Sequence, residues 1–93
     1  MLVKDLKDNM PIDEIRLEIL KIRESKTVSD GNKLQNFLGI DESGEEVDGI
    51  LWNKECDKFH QGDNVVIHSG FAKTFNGKLQ VSPSKYGTIK QTD

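Results

Sequence analysis

The sequence predicts an all-β domain in which five short strands and one short helix form a small barrel. Segments in which branched apolar residues alternate with polar ones recur along the chain, as expected for half-buried strands. Glycine, asparagine, aspartate and proline separate these segments and indicate turns. A length of 93 residues, 34% of them hydrophobic, suits one domain over residues 1–93 with one small core. The sequence leaves open whether this domain works alone or is one segment of a longer chain with several such domains.

The first strand is predicted over residues 15–22, where Ile15, Leu17 and Ile19 alternate with charged side chains. A helix competes for this segment because glutamate, leucine, lysine and arginine favour helices. The β-branched isoleucines and the period of two favour a strand. Met10–Pro11 predicts a turn that leads into it.

Two further strands are predicted in the middle of the chain. Residues 33–40 follow a turn, but their apolar residues do not alternate, so the sequence leaves open which face points inward. In residues 47–52 the alternation is clear, and it places Trp52 on the face opposite Leu51. Residues 53–59 predict the short helix, because an asparagine can cap its start and a cysteine and a phenylalanine one turn apart can face the core.

The last two strands are predicted as a hairpin. Residues 65–75 form the fourth strand, and Asn76–Gly77, typical of a two-residue turn, leads into a fifth strand over residues 78–82. Pro83 ends that strand because proline cannot donate a ladder hydrogen bond, and a short extended tail follows. Five strands with a helix between the third and fourth match the order of the OB-fold, a Greek-key barrel.

An aromatic and basic face on the fourth strand is the strongest functional signal in the chain. Phe71, Lys73 and Phe75 alternate onto one face, which an ordinary core would leave polar. Aromatic rings stack on unpaired bases and cations follow phosphates, so this face predicts binding of single-stranded nucleic acid. The competing interpretations are a core tryptophan and a minor apolar cluster over the barrel end. The candidate nucleic-acid-binding residues are Trp52, Phe71, Phe75, Lys73, Lys78 and Lys85, with Lys26 and Lys33 as further lysines that can line the groove.

Four stretches of the sequence together resemble a known family. They are Asp41–Gly44, Ile50–Trp52, Gly62–Ile67 and Gly70–Val81. In order and spacing these stretches resemble the OB domains of archaeal replication protein A and the related single-domain single-stranded-DNA-binding proteins. The resemblance implies single-stranded DNA as the partner, bound with little sequence preference in replication, repair or recombination, and other OB domains or replication and repair proteins as further partners. It also implies base stacking by Trp52, Phe71 and Phe75.

The chain departs from that family in two places. The segment from Gly44 to Trp52 is one residue longer, which predicts a bulged or re-aimed third strand, and Ser82 and Pro83 stand where the family often has an aromatic or basic residue. The acidic run in residues 41–48 and a net charge of −3 favour a second hypothesis, an OB domain that docks proteins and binds nucleic acid weakly. A third hypothesis is RNA binding, since nothing in the sequence separates DNA from RNA.

Enzyme chemistry has little support in the sequence. Cys56 lies between two acidic residues, which raise rather than lower the pKa of a thiol, and with His60 and His68 it makes a poor set of zinc ligands. The acidic run predicts a solvated loop rather than a catalytic pair of carboxylates. We therefore expect no catalytic activity, metal or cofactor. No apolar segment is long enough to cross a membrane, and the single cysteine indicates an intracellular protein.

Overall fold

The computed structural model describes residues 1–92, which form strands joined by tight turns. The strands are β1 (Met10–Ile22), β2 (Lys26–Thr27), β3 (Lys33–Ile40), β4 (Glu46–Trp52), β5 (Asn64–Phe75) and β6 (Lys78–Thr92). Strands β3 and β4 match the predicted second and third strands to within one residue, whereas β1 and β6 are longer than predicted. Within the described residues the helical segments are 3-10 turns, at Val3–Asp5, Ser29–Gly31 and Asn53–Glu55.

The five long strands close into a barrel. β1 pairs with β5, β5 with β6, β6 with β4, β4 with β3, and β3 returns to β1. Each of these pairings is antiparallel except that of β4 with β6, in which Asp48 lies opposite Gln80 in parallel register. Closure protects strand edges that would otherwise be open to pairing with another chain. The predicted all-β OB-fold, a five-stranded Greek-key barrel, is confirmed.

The inward residues of each strand fill the barrel, and β3 shows why the sequence leaves its alternation ambiguous. Its inward residues are Gln35, Phe37 and Gly39, while its leucines lie half-buried on the outer face. The polar side chain of Gln35 can be buried because both ends of its amide are hydrogen-bonded. Its Nε2 donates to the carbonyl of Arg23 and its Oε1 accepts from the N–H of Asp57, both at 2.9 Å. The largest fully buried side chains are Ile12, Ile15, Ile19, Leu51, Ile67, Val65 and Val81.

The predicted helix over residues 53–59 is wrong. A 3-10 turn covers Asn53–Glu55, and positive φ values at Asn53 (52°) and Asp57 (66°) interrupt any longer helix. The Asn53 side chain does not cap this turn, because its Oδ1 accepts a hydrogen bond from the Lys33 N–H at 3.0 Å and so ties the segment to β3. The cysteine and the phenylalanine of the segment are buried, as predicted.

Two prolines stand inside strands, so the predicted turn at Met10–Pro11 and the predicted strand end at Pro83 are wrong. Pro11 lies opposite Phe71, in a part of β1 that pairs with β5 but not with β3. One edge of β1 has no partner strand there to accept an N–H, so a proline is tolerated. Pro83 lies opposite Gly70, where the register of β5 and β6 shifts. Beyond that shift β6 resumes, and the predicted tail is its second half.

The acidic turn between β3 and β4 is built around one buried carboxylate and is not a fully solvated loop. Asp41 is 7% exposed and accepts hydrogen bonds from the N–H groups of Val3 (2.8 Å), Ser43 (2.9 Å) and Glu45 (3.0 Å). Burial alone would raise the pKa of this carboxyl group, but the hydrogen bonds outweigh it and lower the pKa to about 2. β4 pairs with β3 without a register shift, so the bulge predicted for the third strand does not form.

Candidate nucleic-acid interface

A groove of about 670 Å³ crosses the outer face of β3, β4, β5 and β6, and we call it the central section. Alternation directs every second side chain of these strands outward. The register of the hairpin places Phe75 beside Lys78 and Lys73 beside Gln80. Within residues 1–92, the side chains that line this section are aromatic, aliphatic, polar or basic, and none is a carboxylate.

The three aromatic residues predicted to stack all line the central section, and all three are exposed. The exposed fraction is 38% for Trp52, 37% for Phe71 and 63% for Phe75. Trp52 ends β4 on the face opposite the buried Leu51, so the core interpretation of this tryptophan is wrong. Three large rings left partly in water forgo burial that would stabilise the fold, and such rings gathered in one groove indicate a binding surface.

The tight turn between β5 and β6 presents one edge of the central section. Asn76 and Gly77 both have positive φ, 52° and 79°, as a two-residue turn of type I′ requires, so the predicted hairpin is present. The turn holds Phe75 and Lys78 at the tip of the hairpin. The N–H of Thr74 donates to the Asp8 carboxylate and ties the hairpin to the N-terminal segment.

Three lysines line the central section, and none of them forms an ion pair within residues 1–92. They are Lys26, Lys73 and Lys78. Lys33 is instead occupied, because its Nζ lies 2.7 Å from Oδ2 of Asp57; this hydrogen bond raises the pKa of the lysine and lowers that of the aspartate. The ammonium groups of Lys26, Lys73 and Lys78 are therefore free to contact phosphates.

The groove continues past Lys78 into a second recess of about 700 Å³, the charged section. Its lining mixes the cations Lys21 and Arg23 with the carboxylates Glu46 and Asp48. The acidic run that the sequence places before Trp52 thus reaches the groove, but beside the aromatic rings rather than among them.

A third recess of about 440 Å³ shares Trp52 with the central section. We call it the bulge section, because residues of Ser84–Gly87, which bulge out of β6 at its register shift against β5, line it. It is lined by Lys54 and Lys85 together with Glu55, whose pKa is raised by burial. The predicted binding residue Lys85 therefore lines the bulge section and not the central section, which holds the three aromatic rings. Trp52 lines both recesses.

Sequence reasoning missed the half-buried residues between the rings. Leu34 and Ile50 provide apolar surface in the central section, and Asn36 and Gln80 provide amide groups. The signal for Ile50 is present in the sequence, because it shares the face of the tryptophan. β3 offers no such signal, because Leu34 and Phe37 are both apolar yet lie on opposite faces.

Solved structures similar to this chain are OB domains. A domain of replication protein A from Methanococcus maripaludis matches with a TM-score of 0.81 and 23% identity, over 100% of this chain and 94% of that one. The OB domain of a Thermoplasma acidophilum protein matches with a TM-score of 0.80 and 16% identity, over 100% and 86%. Fission yeast Pot1, solved with single-stranded DNA, matches with a TM-score of 0.71 and 16% identity, over 100% of this chain and 39% of Pot1. No family model and no curated protein sequence matches the chain.

At these identities the comparisons establish the fold. The resemblance to the OB domains of archaeal replication protein A, first seen in the sequence, is thus also a resemblance in three dimensions. The candidate binding residues are therefore inferred from the geometry of this chain and not from its structural neighbours.

Within residues 1–92, no group of three or more histidine, cysteine, aspartate or glutamate residues is placed to hold a metal ion. Cys56 is buried, and burial raises the pKa of its thiol. No helix among the described residues is long and apolar enough to cross a membrane.

Proposed function

We propose that this chain is a single OB domain, over residues 1–93, that binds single-stranded DNA with little sequence preference. The observation that carries the proposal is the central section, where Trp52, Phe71 and Phe75 are exposed together beside unpaired lysines. The rings stack on bases while Lys73 contacts the phosphates. Stacking uses the face of a base rather than its edge, so the interface tolerates any sequence.

The expected affinity follows from the number of rings. Each stacked base contributes about 1–3 kcal/mol, so three rings with phosphate contacts are sufficient for micromolar binding after the cost of ordering the strand. The net charge of −3 does not oppose this, because no carboxylate lines the central section. Lys78 at the hairpin tip and Lys85 in the bulge section extend the basic track on either side.

The structural neighbours support a role in handling exposed DNA strands. They include a replication protein A domain and Pot1, the latter solved with single-stranded DNA. By analogy, the chain protects single strands during replication, repair or recombination, and other OB domains or replication and repair proteins are its partners. This part of the proposal is an argument from the fold.

The test is titration of the intrinsic fluorescence of Trp52, the chain's single tryptophan, with unstructured oligo-dT at low and moderate salt. We expect saturable quenching that weakens as salt rises, because stacking quenches the indole and phosphate contacts release counterions. Oligo-U and duplex DNA are the controls for sugar type and strandedness. Unchanged fluorescence together with no mobility shift of labelled oligo-dT would refute DNA binding.

A second candidate function is protein docking. The charged section favours it, because Glu46 and Asp48 share the outer face with the rings and repel phosphates. A docking module that has lost nucleic-acid binding is expected to bury Trp52, however, and that residue is 38% exposed. Binding of oligo-U as tight as that of oligo-dT would instead indicate an RNA-binding domain.

A further inference from the structure

The last strand carries a bulge whose tyrosine has no role in the interface described above. On β5 a single residue, Ser69, separates the two stretches of the β5–β6 ladder, whereas on β6 the four residues Ser84–Gly87 separate them. Bulges are frequent next to binding sites, where they re-aim a side chain. Tyr86 of this bulge is 86% exposed, more than any other large hydrophobic residue within residues 1–92.

Both ends of the bulge are fixed by the barrel. Pro83 before it is buried. Gly87 after it packs so closely on β5 that a Cβ at this position would lie 2.1 Å from the carbonyl oxygen of Ser69. Ser69 itself has a positive φ of 55°. A larger residue than glycine would push the bulge off β5, so the backbone holds Lys85 and Tyr86 outward at a defined place.

The bulge forms one wall of the bulge section of the groove. Three of its residues line that section, and Trp52 and Lys54 line it from the other side. The Nζ of Lys85 lies 5.6 Å from the centroid of the Tyr86 ring, within the range of a cation–π contact. Tyr86 is not itself among the residues that line the section, but its contact with Lys85, which does line it, places the exposed ring beside this recess.

We propose that the Ser84–Gly87 bulge extends the nucleic-acid interface beyond Trp52, with Tyr86 stacking on a further base and Lys85 contacting an adjacent phosphate. The inference rests on the proposed function, because it lengthens the same groove. It adds a fourth ring to the interface and makes the length of the bound strand depend on the bulge.

The chemistry of the bulge section fits a continuing strand of nucleic acid. Lys54 and Lys85 outnumber Glu55, which is its one carboxylate, so the section attracts phosphates. Trp52 lines both sections, so a strand that stacks on this ring in the central section and continues past it enters the bulge section. The next base can then stack on Tyr86, whose ring is exposed beside Lys85.

A series of oligo-dT lengths tests the inference, from about 4 to about 16 nucleotides, the range of site sizes for OB-folds. The variants are Tyr86→Ala, Tyr86→Phe and, as a matched control on an exposed residue of β6 just past the bulge, Thr88→Ala. We expect Tyr86→Ala to bind the longest strand at least about fivefold more weakly than the wild type and the shortest strand equally well. Tyr86→Phe keeps a ring and is expected to bind all lengths like the wild type, as is Thr88→Ala.

The outcomes separate this inference from the proposed function. Equal affinities of the wild type and Tyr86→Ala at every length overturn the inference and leave the central interface standing. A loss of equal size at every length also overturns it, because Tyr86 would then act within the central section. If the wild type binds no strand of any length, both proposals fail. Equal thermal unfolding midpoints show that the variants are folded, as expected for a residue this exposed.

Discussion

The central and charged sections of the groove share Asn36, Lys78 and Gln80 but differ in chemistry. The central section exposes three aromatic rings and no carboxylate, whereas the one aromatic residue of the charged section, Phe37, is buried, and Glu46 and Asp48 stand among its cations. Contacts between exposed charges are screened by salt, and stacking is not. The difference indicates that affinity for bases concentrates in the central section, while the charged section limits how far a strand extends past the hairpin tip.

The largest effect is expected from removing two rings of the central section. Phe71→Ala combined with Phe75→Ala should weaken oligo-dT binding at least tenfold, because each ring contributes about 1–3 kcal/mol of stacking. The fold should survive, since both side chains are exposed. Anisotropy of labelled oligo-dT measures the loss, and thermal unfolding checks the fold.

Thr74→Ala is the matched control for that double variant, because Thr74 lies between the two phenylalanines on β5 but does not line the central section. It should bind like the wild type. Unchanged affinity of the double variant would refute the assignment of the rings to the interface and would move the preferred function to protein docking.

Local rules account for the parts of the site that the sequence predicts. Phe71 and Phe75 follow from alternation along one strand, and the turn after them from a dipeptide that accepts positive φ. Pro83 inside β6 depends on a register shift against β5, and the inward Gln35 depends on hydrogen-bond partners from two other segments. Such positions are set by pairing between distant segments, and no local pattern in the sequence encodes them.

Two aspartates of the same acidic run are expected to differ in their contribution to stability, because Asp41 is buried in the turn and Asp48 lies in the groove. Asp41→Ala should lower the free energy of unfolding by about 2 kcal/mol, because buried N–H groups lose a charged acceptor. Asp48→Ala, in the charged section, should leave stability nearly unchanged because this residue is only half-buried and forms no ion pair within residues 1–92. Urea unfolding of both variants measures the difference, and equal losses would contradict it.

The contribution of Asp41 to stability also has a defined pH dependence. Its pKa in the folded chain is about 2, below the ordinary value of 3.8. A lowered pKa means that this contribution is complete above the ordinary value and is lost as the pH falls through the folded value. The wild type should therefore lose its advantage over Asp41→Ala in acid, and a constant difference between the two at all pH values would contradict the assignment.

Reversing the charge of the two carboxylates in the charged section is expected to have an intermediate effect on binding. Glu46→Lys combined with Asp48→Lys should tighten oligo-dT binding about fivefold at low salt, since one favourable surface contact is worth about 1 kcal/mol, and should steepen its salt dependence. Glu42→Lys combined with Glu45→Lys is the matched control, because it changes the net charge by the same amount at two residues of the same acidic run that line none of the three sections. An equal gain in the control would show that net charge alone, not the position of the carboxylates, sets the affinity.

The smallest effect is expected in the bulge section, from Glu55. Burial raises the pKa of this carboxyl group, while Lys54 and Lys58 oppose the rise, so Glu55 becomes neutral at a higher pH than an exposed glutamate does. Protonation of Glu55 in acid therefore removes the negative charge that it contributes to this section, and long oligo-dT should bind about twofold more tightly. Glu55→Gln should bind at neutral pH as the wild type does in acid and should show a flatter pH profile. Glu42→Gln, the control for a glutamate that lines none of the three sections, should keep the wild-type profile. If it flattens the profile and Glu55→Gln does not, the Glu55 carboxylate does not act on the strand.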